Sequence, residues 1–186
     1  MATQVIEIGK DQPDALCIAA YTVSFFTGAH ATAAGMIDHA LALNPNSALG
    51  WACRGWVAAM QDQSDPAIEA LQRAMHLSPL DPLRWIFFGG ISFTNLVARR
   101  FAETIDWADR SFREQPRYAS AYRMKVAACA HLGRAEEALE CARHVLELQP
   151  AFTISEMQRT YGAAMCTTET LAMYVEGLRK AGLPEE

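Results

Sequence analysis

Five prolines constrain this chain more than any other feature. Pro13, Pro45, Pro79, Pro116 and Pro150 follow one another at spacings of 32, 34, 37 and 34. Four of them end closely similar strings: Leu41-Ala-Leu-Asn-Pro45, Met75-His-Leu-Ser-Pro79, Phe112-Arg-Glu-Gln-Pro116 and Leu146-Glu-Leu-Gln-Pro150. A fixed period of this length is the mark of a repeat array, in which each unit leaves an apolar face for its neighbour to cover. Proline lacks an N–H and cannot continue a helix, so each one forces the chain out of one unit and into the next.

Between the prolines the same residue types recur in register. Unit two reads Trp51, Arg54, Gly55, Ala58, then Ala67, Leu71 and Ala74. Unit three reads Trp85, Gly89 and Ser92, then Phe101, Thr104 and Ala108. Unit one has Cys17, Ala20 and Tyr21, then Ala33, Ile37 and Ala40; unit four has Tyr122, Val126 and Cys129, then Ala138 and Ala142. This pattern resembles the tetratricopeptide repeat, W-x2-L-G-x2-Y, then A-x3-F, then P. The resemblance implies an all-α, right-handed solenoid of about four helix–turn–helix units, at 14–47, 48–81, 82–118 and 119–152. Residues 1–13 then read as a linker or start segment, and 153–186 as C-terminal capping helices. Small residues (Gly55, Gly89, Ala67, Ala138) let the paired helices approach, and Trp51, Trp85 and Tyr122 fill the space between units. Ser64 or Asp65 before Pro66, and Asp81 before Pro82, are expected as N-caps. Unit three has three extra residues between Trp85 and Phe101, which read as a lengthened first helix. Thr153-Ile-Ser-Glu156 is a capping box opening one further helix, and Thr167-Thr-Glu169 opens the last.

The rest of the composition excludes whole classes of function. With 16 Lys+Arg against 21 Asp+Glu the net charge is −5, which denies the chain the basic patch that nucleic-acid binding needs. No apolar run is long enough to span a membrane, and the N-terminus lacks the pattern of a signal peptide. Five cysteines (Cys17, Cys53, Cys129, Cys141, Cys166) form no CxxC pair and read as reduced thiols of a cytoplasmic protein. The five histidines are scattered without HExxH or zinc spacing. Neighbours such as Cys129 and His131 point to different helix faces, and Gly89-Gly90 lacks the flanking glycines and lysine of a phosphate loop. No catalytic residue, metal or cofactor is expected.

A narrower resemblance rests on Asn44-Pro-Asn-Ser-Ala, Leu77-Ser-Pro-Leu-Asp-Pro-Leu, the Arg100-Phe-Ala-Glu stretch and Tyr174-Val-Glu-Gly-Leu-Arg-Lys-Ala-Gly-Leu-Pro-Glu. These strings look like the C-terminal tetratricopeptide region of bacterial signalling proteins in which the array follows a class III adenylate/guanylate cyclase domain or a winged-helix domain. The likeness implies a non-catalytic protein-interaction and regulatory module, with an upstream domain of the same protein among its partners. The tetratricopeptide resemblance also places Ile18, Thr22, Phe25, Ala52, Trp56, Met60, Ile86, Phe93 and Arg123 on a concave groove. That groove has one cation, Arg123, so it suits a protein or peptide with an apolar or helical face rather than an acidic C-terminus. Close coiling or extra helices could instead bury it as core. A small-ligand or enzymatic pocket in the groove, and a self-assembly unit, are the alternative readings. Unit one carries only two charges, Asp14 and Asp38, against six, ten and eight in the later units. Its second helix is apolar on nearly every face, so Ala33, Met36, Ile37 and Ala40 are the expected contacts of a homodimer.

Overall fold

A computed structural model describes residues 12–162 and 167–186. Cys166 and nearly all of the expected N-terminal linker lie outside the described residues. Ten helices follow one another, with no strand among the described residues: α1 Pro13–Thr27, α2 His30–Leu43, α3 Ala48–Met60, α4 Ser64–Leu77, α5 Arg84–Val97, α6 Phe101–Glu114, α7 Ala119–His131, α8 Ala135–Leu148, α9 Ile154–Tyr161 and α10 Thr168–Lys180. Consecutive helices pack most closely in the pairs α1/α2, α3/α4, α5/α6 and α7/α8. The chain is an α solenoid of helical repeats.

The turn inside each pair has one conformation. Gly28, Asp62, Arg99 and Gly133 all adopt positive φ, between 58° and 73°. They recur at the same spacings as Pro45, Pro79, Pro116 and Pro150. In the last three turns the next N–H reaches back to close the helix: Gln63 to Ala58 O, Arg100 to Asn95 O and Arg134 to Cys129 O. This is the left-handed closure that satisfies carbonyls a helix end would otherwise leave unpaired. The one longer spacing arises in α5, which ends at Val97, twelve residues past Trp85, whereas α3 ends at Met60, nine past Trp51. The first helix of that pair is therefore lengthened at its C-terminus.

Some helix starts differ from expectation. Helix α4 begins at Ser64 with Gln63 before it, and no side chain caps it. Asp81 accepts the Leu83 N–H at 2.8 Å two residues ahead, shaping the turn instead of capping α5, which starts only at Arg84. Pro66 stands at N3 of α4, where it has no N–H for a cap to accept. By contrast Ser47, Thr153 and Thr167 do cap, accepting the N–H of Gly50, Glu156 and Thr170 at 2.8–3.1 Å. Ser47 also donates to Asp14 at 2.5 Å, tying the start of α1 to the start of α3.

Glycine opens the close approaches, but between different partners than expected in one case. A Cβ on Gly55 would lie 2.5 Å from Leu71 and 3.0 Å from the Ala67 carbonyl, so α3 and α4 touch there. Gly89 instead makes room for the ring of Tyr118, the residue that precedes α7, 2.9 Å from where its Cβ would be. The α5/α6 pair is held by Ser92 Oγ donating to Thr104 O and by Ser111 Oγ donating to Trp85 O.

The core has two parts. Leu16, Cys17, Ala20, Ala33, Met36, Ile37, Ala40 and Leu41 pack with Cys53 and Val57 in the first, and the second runs from α3 to the C-terminus. This places Ala33, Met36, Ile37 and Ala40 at 0–6% exposure, inside the chain. They are spent against α1 and α3 and present no surface to a second copy. Outward on α2 stand Ala31, Thr32, Gly35, Asp38, His39, Ala42 and Leu43, a face too small-sided and polar to demand a cover.

Candidate functional site

The helices that follow the repeats decide what becomes of the concave side. Helix α10 docks on α7, where a Cβ on Gly177 would lie 2.7 Å from the Ala127 Cα. Helix α9 carries an apolar stripe, Ile154, Met157 and Tyr161, at i, i+3 and i+7. It returns across the concave side to touch α1, and the Tyr161 ring meets Phe25 edge-on at 5.3 Å. Helix α9 thereby covers part of the groove, leaving a half-open chamber of about 250 Å3.

Aromatic and methionine side chains from the first helix of each pair, and from α9 and α10, form its walls. Trp56 stacks on Phe93 at 5.7 Å and meets Tyr21 edge-on at 6.4 Å, while its Nε1 donates to Ile86 O at 3.3 Å. Gly90 permits this placement, since a Cβ there would sit 3.0 Å from Trp56 Nε1. Met60, Met124, Met157, Tyr118 and Tyr174 complete the lining. Burial pushes the Tyr118 phenol up to about 12 and raises that of Tyr174, against the downward pull of the Arg123 guanidinium on both. Both phenols therefore stay protonated donors at neutral pH.

Arg123 is the one guanidinium among the described residues that line this chamber, and it is 5% exposed. It donates to Gln149 Oε1 at 2.5 Å and to Ser120 Oγ at 2.8 Å, and stands over the rings of Phe152 (5.3 Å) and Tyr161 (5.9 Å). Its Nε is buried without a partner among the described residues, and no described carboxylate pairs with it. An adjoining cleft of about 450 Å3 leads outward from Arg123, Met157 and Tyr161 past Gln149, Phe152, Thr153, Glu156 and Thr160.

Of the expected groove residues, Phe25, Trp56, Met60, Phe93 and Arg123 come together on the chamber. Ala52 is buried core and Ile86 flanks Trp56. Ile18 and Thr22 are exposed on α1 and do not line it. Tyr21, Tyr118, Met157, Tyr161 and Tyr174 are additions that the sequence reading did not place there. Only the i, i+3, i+7 stripe of α9 signalled that a capping helix had an apolar face to bury.

Other chemistry is muted. Burial raises Cys17 and Cys141 to about 11, Cys53 to about 12, and Cys129 as well, so these free thiols stay protonated and poorly nucleophilic. His30 shares a hydrogen bond with Ser24 Oγ at 2.7 Å, and burial lowers its pKa. His131 bonds Met173 O at 2.8 Å and stacks on Phe101. No group of three His, Cys, Asp or Glu side chains suited to a metal exists among the described residues, and no described helix is long and apolar enough to cross a membrane.

No protein-family model matches the sequence, and no curated protein matches it. Solved structures are similar in fold. PilW, a widely conserved type IV pilus biogenesis factor, aligns with a TM-score of 0.71 at 16% identity over 92% of this chain and 80% of its own. TTC0263, a thermophilic TPR protein of Thermus thermophilus, aligns at 0.64 and 19% identity over 91% and 90%. YrrB, described as a TPR protein with an unusual peptide-binding site, aligns at 0.57 and 18% identity over 97% and 90%. The repeat period, the paired helices and these likenesses agree: the chain has the fold of tetratricopeptide-repeat proteins.

Proposed function

We propose that this chain is a non-catalytic protein-interaction module whose docking surface is the exposed face of α1 beside the groove. One observation carries the reading. Ile18 and Phe26, eight residues apart and therefore on one helix face, are 50% and 62% exposed with Thr22 between them. Large apolar side chains grouped on an outer helix mark a surface that a partner covers. With part of the concave side covered by α9, the ridge is the apolar face of α1 left open to an apolar or helical partner. That YrrB has a peptide-binding site on the same fold supports an interaction role. The strings at 44–48, 77–83 and 174–185 support a place in a bacterial signalling protein, downstream of a cyclase or winged-helix domain. In that setting the upstream domain of the same protein is the natural cover for α1. The free, protonated thiols suit the cytoplasm.

The test compares the parent with an Ile18→Asp, Phe26→Asp double variant in crosslinking and pull-down experiments. Partners retained by the parent and lost by the folded variant are expected; an identical set from both would overturn the ridge. Light scattering of the chain alone asks whether a second copy is the occupant. In that case a species of twice the 20.5 kDa chain mass becomes monomeric in the variant.

A further inference from the structure

The chamber contains a charge with no anion to balance it. Arg123 is always ionised, is 5% exposed, and has no carboxylate partner among the described residues. Burying an unpaired charge is costly, and proteins pair such groups or surround them with hydrogen bonds. Gln149, Ser120 and the Tyr174 hydroxyl supply neutral acceptors to the guanidinium, but Nε–H has none. The rest of the surroundings is aromatic and thioether. We propose that the chamber is a binding site for a small monocarboxylate with an aromatic or bulky apolar body, whose carboxylate pairs with Arg123.

Size and shape both select this class. An apolar cavity of about 150 Å3 takes up a benzene molecule, so about 250 Å3 admits a ring with a short side chain. Trp56, Phe93, Phe25 and Tyr161 provide faces and edges for a ring, an arrangement worth more than its buried area alone. A guanidinium donates to both oxygens of a carboxylate in a two-pronged fork. The Tyr118 hydroxyl, held protonated by burial, and Ser120 stand beside Arg123 to bond a carboxylate oxygen. The cleft past Thr153 and Thr160 provides the entrance. Glu156 at that entrance is engaged by Arg159, so its charge is neutralised locally and does not repel an anion.

Titration of the intact chain with 4-phenylbutyrate, followed by tryptophan fluorescence and by thermal melting, tests the proposal. A saturable change in tryptophan fluorescence, absent in Trp56→Phe, and a raised melting temperature are expected. The uncharged analogue 4-phenylbutyramide should bind at least tenfold more weakly, and acetate, which lacks the ring, weaker still. In Arg123→Met the preference for carboxylate over amide should vanish. If that variant fails to fold, the comparison of the three probes on the parent decides alone. Equal binding of acid and amide, binding of acetate as tight as that of phenylbutyrate, or no binding of any probe would each overturn the proposal. The α1 ridge adjoins the chamber through Phe26, whose ring meets Phe25 at 5.2 Å, so Ile18→Asp alone separates the two readings: it should weaken the ridge and bind phenylbutyrate as the parent does.

Discussion

At the scale of single residues, the four turns at Gly28, Asp62, Arg99 and Gly133 pose one conformational demand and meet it with different residues. A left-handed φ is free of penalty for glycine but costs an L-residue with a Cβ roughly 1 kcal/mol, less for Asp than for a long side chain. Arg99 therefore stores strain that Gly28 and Gly133 avoid. Arg99→Gly should stabilise the chain by about 0.5–1 kcal/mol, read as an upward shift in urea midpoint with unchanged slope. An unchanged or lowered midpoint would show that Arg99 repays its backbone cost through a contact of its side chain. Gly28 and Gly133 are the residue type that such a turn favours. The equivalence of Asp62 and Arg99 to them is apparent only from the backbone conformation.

At the scale of elements, the decisive contact is the docking of α10 on α7. Gly177 lies mid-helix, where glycine costs about 1 kcal/mol relative to alanine, so its place must be explained by packing. The Ala127 backbone fills the space that a Cβ at 177 would take. Replacing Gly177 with Leu should cost about 1–3 kcal/mol through overpacking and lift α10 away. Faster amide exchange confined to α10 and its face on α7 would confirm this; a melting temperature equal to that of the parent would refute it. The capping helices were legible from Thr153 and Thr167, whose hydroxyls do cap α9 and α10. Where those helices would dock was not legible, since small residues such as Gly177 and Ala127 have no sequence pattern that pairs them.

At the scale of the whole molecule, contact between α9 and α1 makes the array a nearly closed coil. In an open solenoid each unit touches only its neighbours, and stability is a sum of local interfaces. Here Phe25 and Tyr161 join the first helix to one beyond the fourth pair. A double-mutant cycle between Phe25→Ala and Tyr161→Ala should give a coupling of about 0.5–1.5 kcal/mol. Additive losses in the two single variants would mean that the chamber is open in solution and the ends are uncoupled.

The chain's sequence by itself determined its fold class. The repeat period, proline exits and small-residue contacts act between near neighbours along the chain, and each leaves a mark at a fixed spacing. Tertiary structure alone decided the fate of the concave side and of α2. Whether Trp56, Phe93 and Arg123 face solvent depends on the accumulated coil of the array and on where α9 comes to rest. Whether Met36 and Ile37 are free for a second copy depends on how α1 and α3 close over them. Both are sums of small rotations over many residues, and an apolar side chain reads the same in sequence whether its cover comes from its own chain or from another.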